Sequence, residues 1–222
     1  MTLPITPART RLYADPEGKF VHNVVLDECR KHGEKTVIVD TSCTPYRRVT
    51  YAEYGDLVER TARGFVAAGV RPGDMIGIYL PNCWEFGVAF HGAMLAGATP
   101  TTMNPTYRDR EVHYQMEISE AVALVSDGTL LQGTNLSGLP ALRKVYAVRD
   151  ARCAGSEPLS NLYTYQGIAS LPQPERDPCL TVAALPFSSG TTGLPKGVML
   201  SHHNIVTNVY QTLTLERPAA LA

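Results

Sequence analysis

Residues 75–103, MIGIYLPNCWEFGVAFHGAMLAGATPTTM, decide the fold. MIGIYL (75–80) is a short apolar run without polar alternation, the pattern of a strand buried on both faces in a parallel sheet. Pro81 and Asn82 end it, and WEFGVAFHGAMLAG (84–97) is long enough, and apolar nearly all round, to be the following helix. TPTTM (99–103) is then a second strand. Working outward, REVHYQMEIS (110–119) reads as a second helix, AVALVSD (121–127) as a third strand and KVYAV (144–148) as a fourth. Such alternation predicts an α/β fold, a parallel sheet flanked by helices.

Upstream, TVIVD (36–40) and RRVT (47–50) read as short strands around a turn at Thr44 and Pro45. Thr50 and Glu53 make the T-x-x-E pattern of a capping box, and Tyr54, Leu57, Val58, Thr61, Ala62, Phe65 and Val66 recur along one helical face up to a stop at Gly69. Strand and helix alternation thus spans 20–149. Residues 150–178, with Pro158, Pro172, Pro174 and Pro178, read as an irregular linker. Residues 179–215 are expected to form a strand, LTVAALPF (180–187), a loop, a brief extended segment GVML (197–200), and a helix capped by Ser201 with Ile205, Val206, Val209, Tyr210 and Leu213 on one face.

Composition limits the function. The 222 residues are 44% hydrophobic and 18% charged, as in a globular protein, and a net charge of -1 gives no electrostatic reason for a nucleic-acid or anionic-membrane partner. Five cysteines, odd in number and never paired as C-x-x-C, argue against a disulfide framework and against a zinc site, so no metal ligands are assigned and a reducing, cytoplasmic setting is expected. No segment has the length of a signal peptide's apolar core or of a membrane span.

The loop within 185–204, LPFSSGTTGLPKGVMLSHHN, carries more hydroxyls and glycines than a chain reversal needs. Gly190, Gly193 and Gly197 are expected to allow positive φ and close backbone approach, so that several N–H groups converge on one anion. Ser188, Ser189, Thr191 and Thr192 add hydroxyl donors, and Lys196 adds a positive charge. Residues 178–215 contain no carboxylate, which suits a polyphosphate. The alternative is a flexible surface turn with a solvated lysine. The spacing fails the Walker A pattern, since Pro195 stands five residues after Gly190 and Gly197 follows Lys196. Neither G-x-G-x-x-G nor G-x-S-x-G occurs, which leaves no dinucleotide fingerprint and no nucleophile elbow.

The run FSSGTTGLPKGV (187–198) resembles the phosphate-loop signature of the AMP-forming acyl- and aryl-CoA synthetases of the adenylate-forming superfamily. VTYAEY (49–54), GVRPGDMIGIYLPNCWEF (69–86) and GAMLAGATPTTMNPTYRDREV (92–112) are similar to that family's N-terminal region, closest to its 4-coumarate:CoA ligase-like branch. The resemblance covers most of 20–215, weakens through 130–178 and is lost at LERPAALA (215–222).

It implies a ligase that joins a carboxylic acid to coenzyme A using ATP and Mg2+, through an acyl-adenylate. By motif match Ser188, Ser189, Gly190, Thr191, Thr192, Gly193 and Lys196 would hold the β- and γ-phosphates, with Lys196 the catalytic cation. The family's remaining motifs, for adenine and ribose, the carboxylate pocket, the magnesium ligand and the C-terminal catalytic lysine, would lie downstream. The expectation is therefore an incomplete N-terminal adenylation domain, inactive alone and open to association through exposed apolar surface. The alternative is a non-catalytic remnant that binds nucleotide, pyrophosphate or a partner. His91 and His113 are read as core or boundary residues, His202 and His203 as neighbours of a helix cap, Trp84 as a packing anchor, and Asn104 with Pro105 as a turn.

Overall fold

The computed structural model describes residues 18–149, 155–173, 177–188 and 195–216. Helix α1 (Val21–His32) leads into an antiparallel ribbon of β1 (Thr36–Asp40) and β2 (Arg47–Thr50). Helix α2 (Tyr51–Ala67) starts where Thr50 accepts a hydrogen bond from the Glu53 N–H at 3.2 Å. The Glu53 carboxylate pairs with Arg47 on β2, so the T-x-x-E pattern ties the helix start to the ribbon. Gly69, at φ +89°, lies just beyond the end of α2, a backbone conformation that glycine adopts without a Cβ penalty.

The chain then alternates: β3 (Met75–Tyr79), α3 (Trp84–Leu95), β4 (Thr99–Thr102), α4 (Asp109–Ile118), β5 (Ala123–Asp127), α5 (Gly128–Gln132) and β6 (Lys144–Val148). With β7 (Glu157–Pro158) these strands form one parallel sheet in the order β4-β3-β5-β6-β7. The two-residue period of the strands sorts side chains to two cores. Ile76, Ile78, Val125 and Tyr146 pack against Ala62 and Phe65 of α2 and Ala89 and Ala93 of α3. Tyr79, Leu124 and Ala147 meet Val112 and Met116 of α4 on the opposite face. Both faces are covered, which is why β3 reads as an almost continuous apolar run.

The described part of the 150–178 segment holds regular elements despite its prolines. Its Glu157–Pro158 pair is the edge strand β7, a position where proline's missing N–H costs little. The short helix α6 (Ser160–Tyr163) follows, with Leu159 and Leu162 buried in the α2/α3 core. A Cβ on Gly64 of α2 would lie 2.8 Å from the Leu162 Cα, so glycine there is what lets α6 seat.

The expected strand 180–187 divides at Leu185 and Pro186 into β8 (Val182–Ala184) and β9 (Phe187–Ser188). The extended segment after the loop is likewise two short strands, β10 (Lys196–Gly197) paired with β9 and β11 (Leu200–Ser201) paired with β8. Strand β8 lies alongside β4, with the Leu185 N–H donating to Pro100 O at 3.0 Å. Ser201 Oγ then accepts from the Asn204 N–H at 3.1 Å at the start of α7 (His202–Glu216), which packs Val206 against Val21, Met94 and Ala183. Val209 and Leu213, on the same expected face, remain exposed, as do Leu180, Val198 and Met199. Among the described residues no helix is long and apolar enough to cross a membrane.

Candidate functional site

Helices α3 and α4 leave β3 and β4 toward opposite faces of the sheet, which opens a cleft over the carboxyl ends of those strands. A cavity of about 680 Å³ lies there. Its walls are Leu80, Pro81, Asn82 and Phe86 after β3, Thr102 to Pro105 with Tyr107 after β4, and Pro186 with Phe187 from the entry to the loop. The turn after β4 is held locally, because Asn104 Oδ1 accepts from both the N–H and the hydroxyl of Thr106, at 2.9 and 2.8 Å. Tyr79 reaches from β3 to donate to Tyr107 O at 2.6 Å. Among the described residues no lining side chain carries a charge.

The base of the loop adjoins this cavity through Pro186 and Phe187. Strands β9 and β10 pair antiparallel, with Ser188 opposite Lys196 and Phe187 opposite Gly197. Ser188 and Lys196 are both exposed, and among the described residues no carboxylate pairs with Lys196. Ser189, Gly190, Thr191, Thr192 and Gly193 lie outside the described residues. Gly197 does not have the positive φ expected of it. Its need is for space, since an added Cβ would sit 3.2 Å from both Leu185 Cδ1 and Phe187 Cε2. Among the described residues no group of three or more His, Cys, Asp or Glu side chains could hold a metal ion.

The histidines stand away from the cavity lining. Burial lowers His91 to about 4, and its Nδ1 lies 2.7 Å from the Tyr54 hydroxyl. His113 Nε2 lies 3.0 Å from Ser137 O. His202 is buried, accepts from the Val21 N–H at 3.2 Å, and meets His22 edge to face at 5.4 Å. His203 lies 3.4 Å from the Thr207 hydroxyl. Trp84 packs against Tyr163 with ring centroids 5.3 Å apart and lies under the Arg47 guanidinium, as an anchor of α3.

Two features of the site escaped the sequence reading. Asp40, at the end of β1, accepts from the Trp84 N–H at 3.0 Å and from the Ser42 N–H and hydroxyl, which caps α3 from 44 residues away. Hydrogen bonding holds its carboxyl below the usual range despite burial. Pro186 and Phe187 line the cavity as well as opening the loop. Adjacency to the glycine- and hydroxyl-rich run was the available signal for the second; nothing local marks the first.

A flanked parallel sheet with the β9–β10 ribbon beside its carboxyl-end cleft is the fold of the N-terminal part of adenylate-forming enzymes. Residues 25–220 match the family model "AMP-binding enzyme", and the chain belongs to that family. It is 33% identical over 205 residues to 4-coumarate-CoA ligase 1 of Narcissus pseudonarcissus, spanning 91% of this chain and 36% of that protein. It is 34% identical over 213 residues to 4-coumarate-CoA ligase 5 of Oryza sativa subsp. japonica, 95% of this chain and 38% of that one. Among solved structures, apo MbtA of Mycobacterium smegmatis superposes with a TM-score of 0.79 at 32% identity, covering 95% of this chain and 38% of that chain. A long-chain-fatty-acid-CoA ligase of Archaeoglobus fulgidus gives 0.76 at 27% identity, over 91% and 40%. The chain thus spans well under half the length of these relatives.

Proposed function

We propose that these 222 residues are the phosphate-holding part, a partial N-terminal adenylation domain, of an ATP-dependent carboxylic acid:CoA ligase. The observation that carries the reading is the β9–β10 hairpin, which sets Ser188 opposite Lys196 beside the cavity at the carboxyl ends of β3 and β4. In the proposed reaction a carboxylate oxygen attacks the α-phosphorus of ATP and pyrophosphate leaves. The thiol of coenzyme A then attacks the acyl carbon, loses its proton and expels AMP. Hydroxyl and backbone donors with a lysine suit the first leaving group, because negative charge grows on the β-phosphate oxygens as the bond breaks. Lys196 is unencumbered by a described carboxylate and free to turn to that charge. Among the described residues no carboxylate lines the cavity, so magnesium would enter with the nucleotide's phosphates and not on ligands of this lining. The neutral walls suit the organic part of a substrate.

Titration with inorganic pyrophosphate and with MgATP, followed by amide hydrogen exchange, tests this reading. Slower exchange at Ser188, Lys196 and Val198 with either ligand is expected, and loss of that response in Lys196→Ala. No response to either at millimolar concentration would remove the phosphate role. A second reading, a non-catalytic nucleotide- or pyrophosphate-binding chain, is favoured by the described cavity lining, which offers neutral donors such as Asn82 and Tyr107 but no cation to hold a carboxylate. Carboxylate-dependent exchange of labelled pyrophosphate into ATP separates the two.

A further inference from the structure

Strand β8 delivers the chain to the hairpin, yet it runs beside a strand that cannot supply a full ladder, because Pro100 in the middle of β4 has no N–H. Two threonine hydroxyls fill the gap. Thr99 Oγ1 donates to Val182 O at 3.2 Å, and Thr101 Oγ1 donates to Leu185 O at 2.7 Å, on either side of the one backbone bond from Leu185 N–H to Pro100 O. Thr101 is fully buried and its hydroxyl is in turn an acceptor, from Gln115 Nε2 of α4 at 2.7 Å. The same Nε2 donates to Thr102 O at 3.0 Å, and since a carbonyl can only accept, the amide orientation is fixed by its partners. Gln115 is 1% exposed, and its Oε1 has no hydrogen-bond partner.

We infer that Thr101 and Gln115 are positioning residues for the loop hairpin. The chain of donors Gln115 Nε2 to Thr101 Oγ1 to Leu185 O fixes the residue from which Pro186, Phe187 and Ser188 depart, and so sets where the Ser188–Lys196 pair stands against the cavity. The hydroxyl is used twice, as donor and as acceptor, so removing it strips Leu185 O of its side-chain donor and leaves Gln115 Nε2 with Thr102 O alone. In a site buried from water such losses are not made good by solvent. Thr99 acts on the same strand three residues earlier, at Val182, and anchors the strand without touching the hairpin's point of departure. The functional weight of this positioning rests on the phosphate-holding reading above, while the positioning itself does not.

The test is amide hydrogen exchange on the 222-residue chain as wild type, Thr101→Val, Thr101→Ser and Thr99→Val, each with and without inorganic pyrophosphate. Valine keeps the β-branched shape and removes the hydroxyl; serine keeps the hydroxyl. Leu185 and Val198, whose N–H groups bond Pro100 O and Pro186 O, should exchange about tenfold faster in Thr101→Val. Amides of β3 and β5 should be unchanged, and Thr101→Ser should restore the wild-type rates. Thr99→Val should have a smaller effect at Val198 than Thr101→Val. Unchanged exchange at Leu185 and Val198 in Thr101→Val overturns the inference. So does a uniform acceleration that includes β3 and β5, which would make Thr101 a packing residue only, and so does failure of serine to rescue. The pyrophosphate arm separates the two readings. Faster hairpin exchange in Thr101→Val with no pyrophosphate response in any chain upholds the positioning role and removes the phosphate role.

Discussion

Ser188 and Lys196 stand directly opposite each other in the β9–β10 ribbon, eight positions apart in sequence and joined in register, with both side chains exposed. A hydroxyl and an ammonium brought together on one ribbon form a two-point donor set for an anion, and neither is occupied by a described carboxylate. Replacement of Lys196 by alanine should therefore weaken the response to phosphates about ten- to hundredfold, as expected for a charge-assisted contact. The melting temperature should move little, because an exposed lysine has few packing partners. Pyrophosphate titration beside thermal unfolding reads both. Equal affinity in the two chains would exclude Lys196 from the site.

Gly197→Ala should act through Phe187. The new Cβ would press on Leu185 and Phe187 at 3.2 Å, tighter than ordinary van der Waals contact, and Phe187 lines the cavity. A stability loss of about 1 kcal/mol is expected, with altered ligand response larger than the stability change implies. Urea unfolding with pyrophosphate titration measures it, and a wild-type profile in both would show that Phe187 yields freely.

The alternation that defines the sheet was legible because a strand buried on both faces tends to lose polar alternation, as MIGIY (75–79) does. What stayed hidden was placed by distant residues. Asp40 caps α3 across 44 positions, and Glu157–Pro158 is too short a strand to carry a period. Gly197 looked like a conformational glycine because loop glycines usually are, and only the neighbouring Phe187 ring shows that it is a steric one. The glycine- and hydroxyl-rich run located the loop but gave no hint of the register that opposes Ser188 to Lys196.

The seating of α6 gives a further test. Gly64→Ala places a Cβ 2.8 Å from the Leu162 Cα, a backbone atom that can move only with the helix. A loss of roughly 1–3 kcal/mol is expected in urea unfolding. Leu162→Ala in the same background should cost less than it does alone, since α6 is already displaced. Full additivity of the two changes would argue that α6 stays seated.

Acid should loosen the junction of α1, α3 and α7. His22, His91 and His202 are each lowered to about 4, chiefly by burial, with His22 and His202 each further lowered by a neighbouring histidine. The unfolded chain binds these protons near pH 6.5 and the folded chain only near 4. Their contribution is therefore complete above about pH 6.5, declines as the pH falls toward 4, and levels off below that. His202→Asn keeps an acceptor for the Val21 N–H and removes one proton site, so it should flatten the slope of stability against pH in that window. An unchanged slope would mean that His202 titrates alike in both states.

Finally, residues 1–222 alone should not exchange labelled pyrophosphate into ATP. Adenylation needs the carboxylate held in line with the α-phosphorus, and such orientation supplies a large share of the rate. The cavity beside the hairpin has the volume for an organic substrate but, among the described residues, no charged lining side chain to hold a carboxylate or to steer a metal-bound nucleotide. The chain also spans only 38% of the solved MbtA chain. Phosphate contacts on an exposed ribbon are screened by water and salt, so even ATP binding by this chain should be weak and should fall as ionic strength rises. Exchange assays across aryl and fatty acids, run on this chain and on one extended with the remaining part of a family member, read the difference directly. Comparable rates from the two would place a complete active site within these residues and overturn the partial-domain reading.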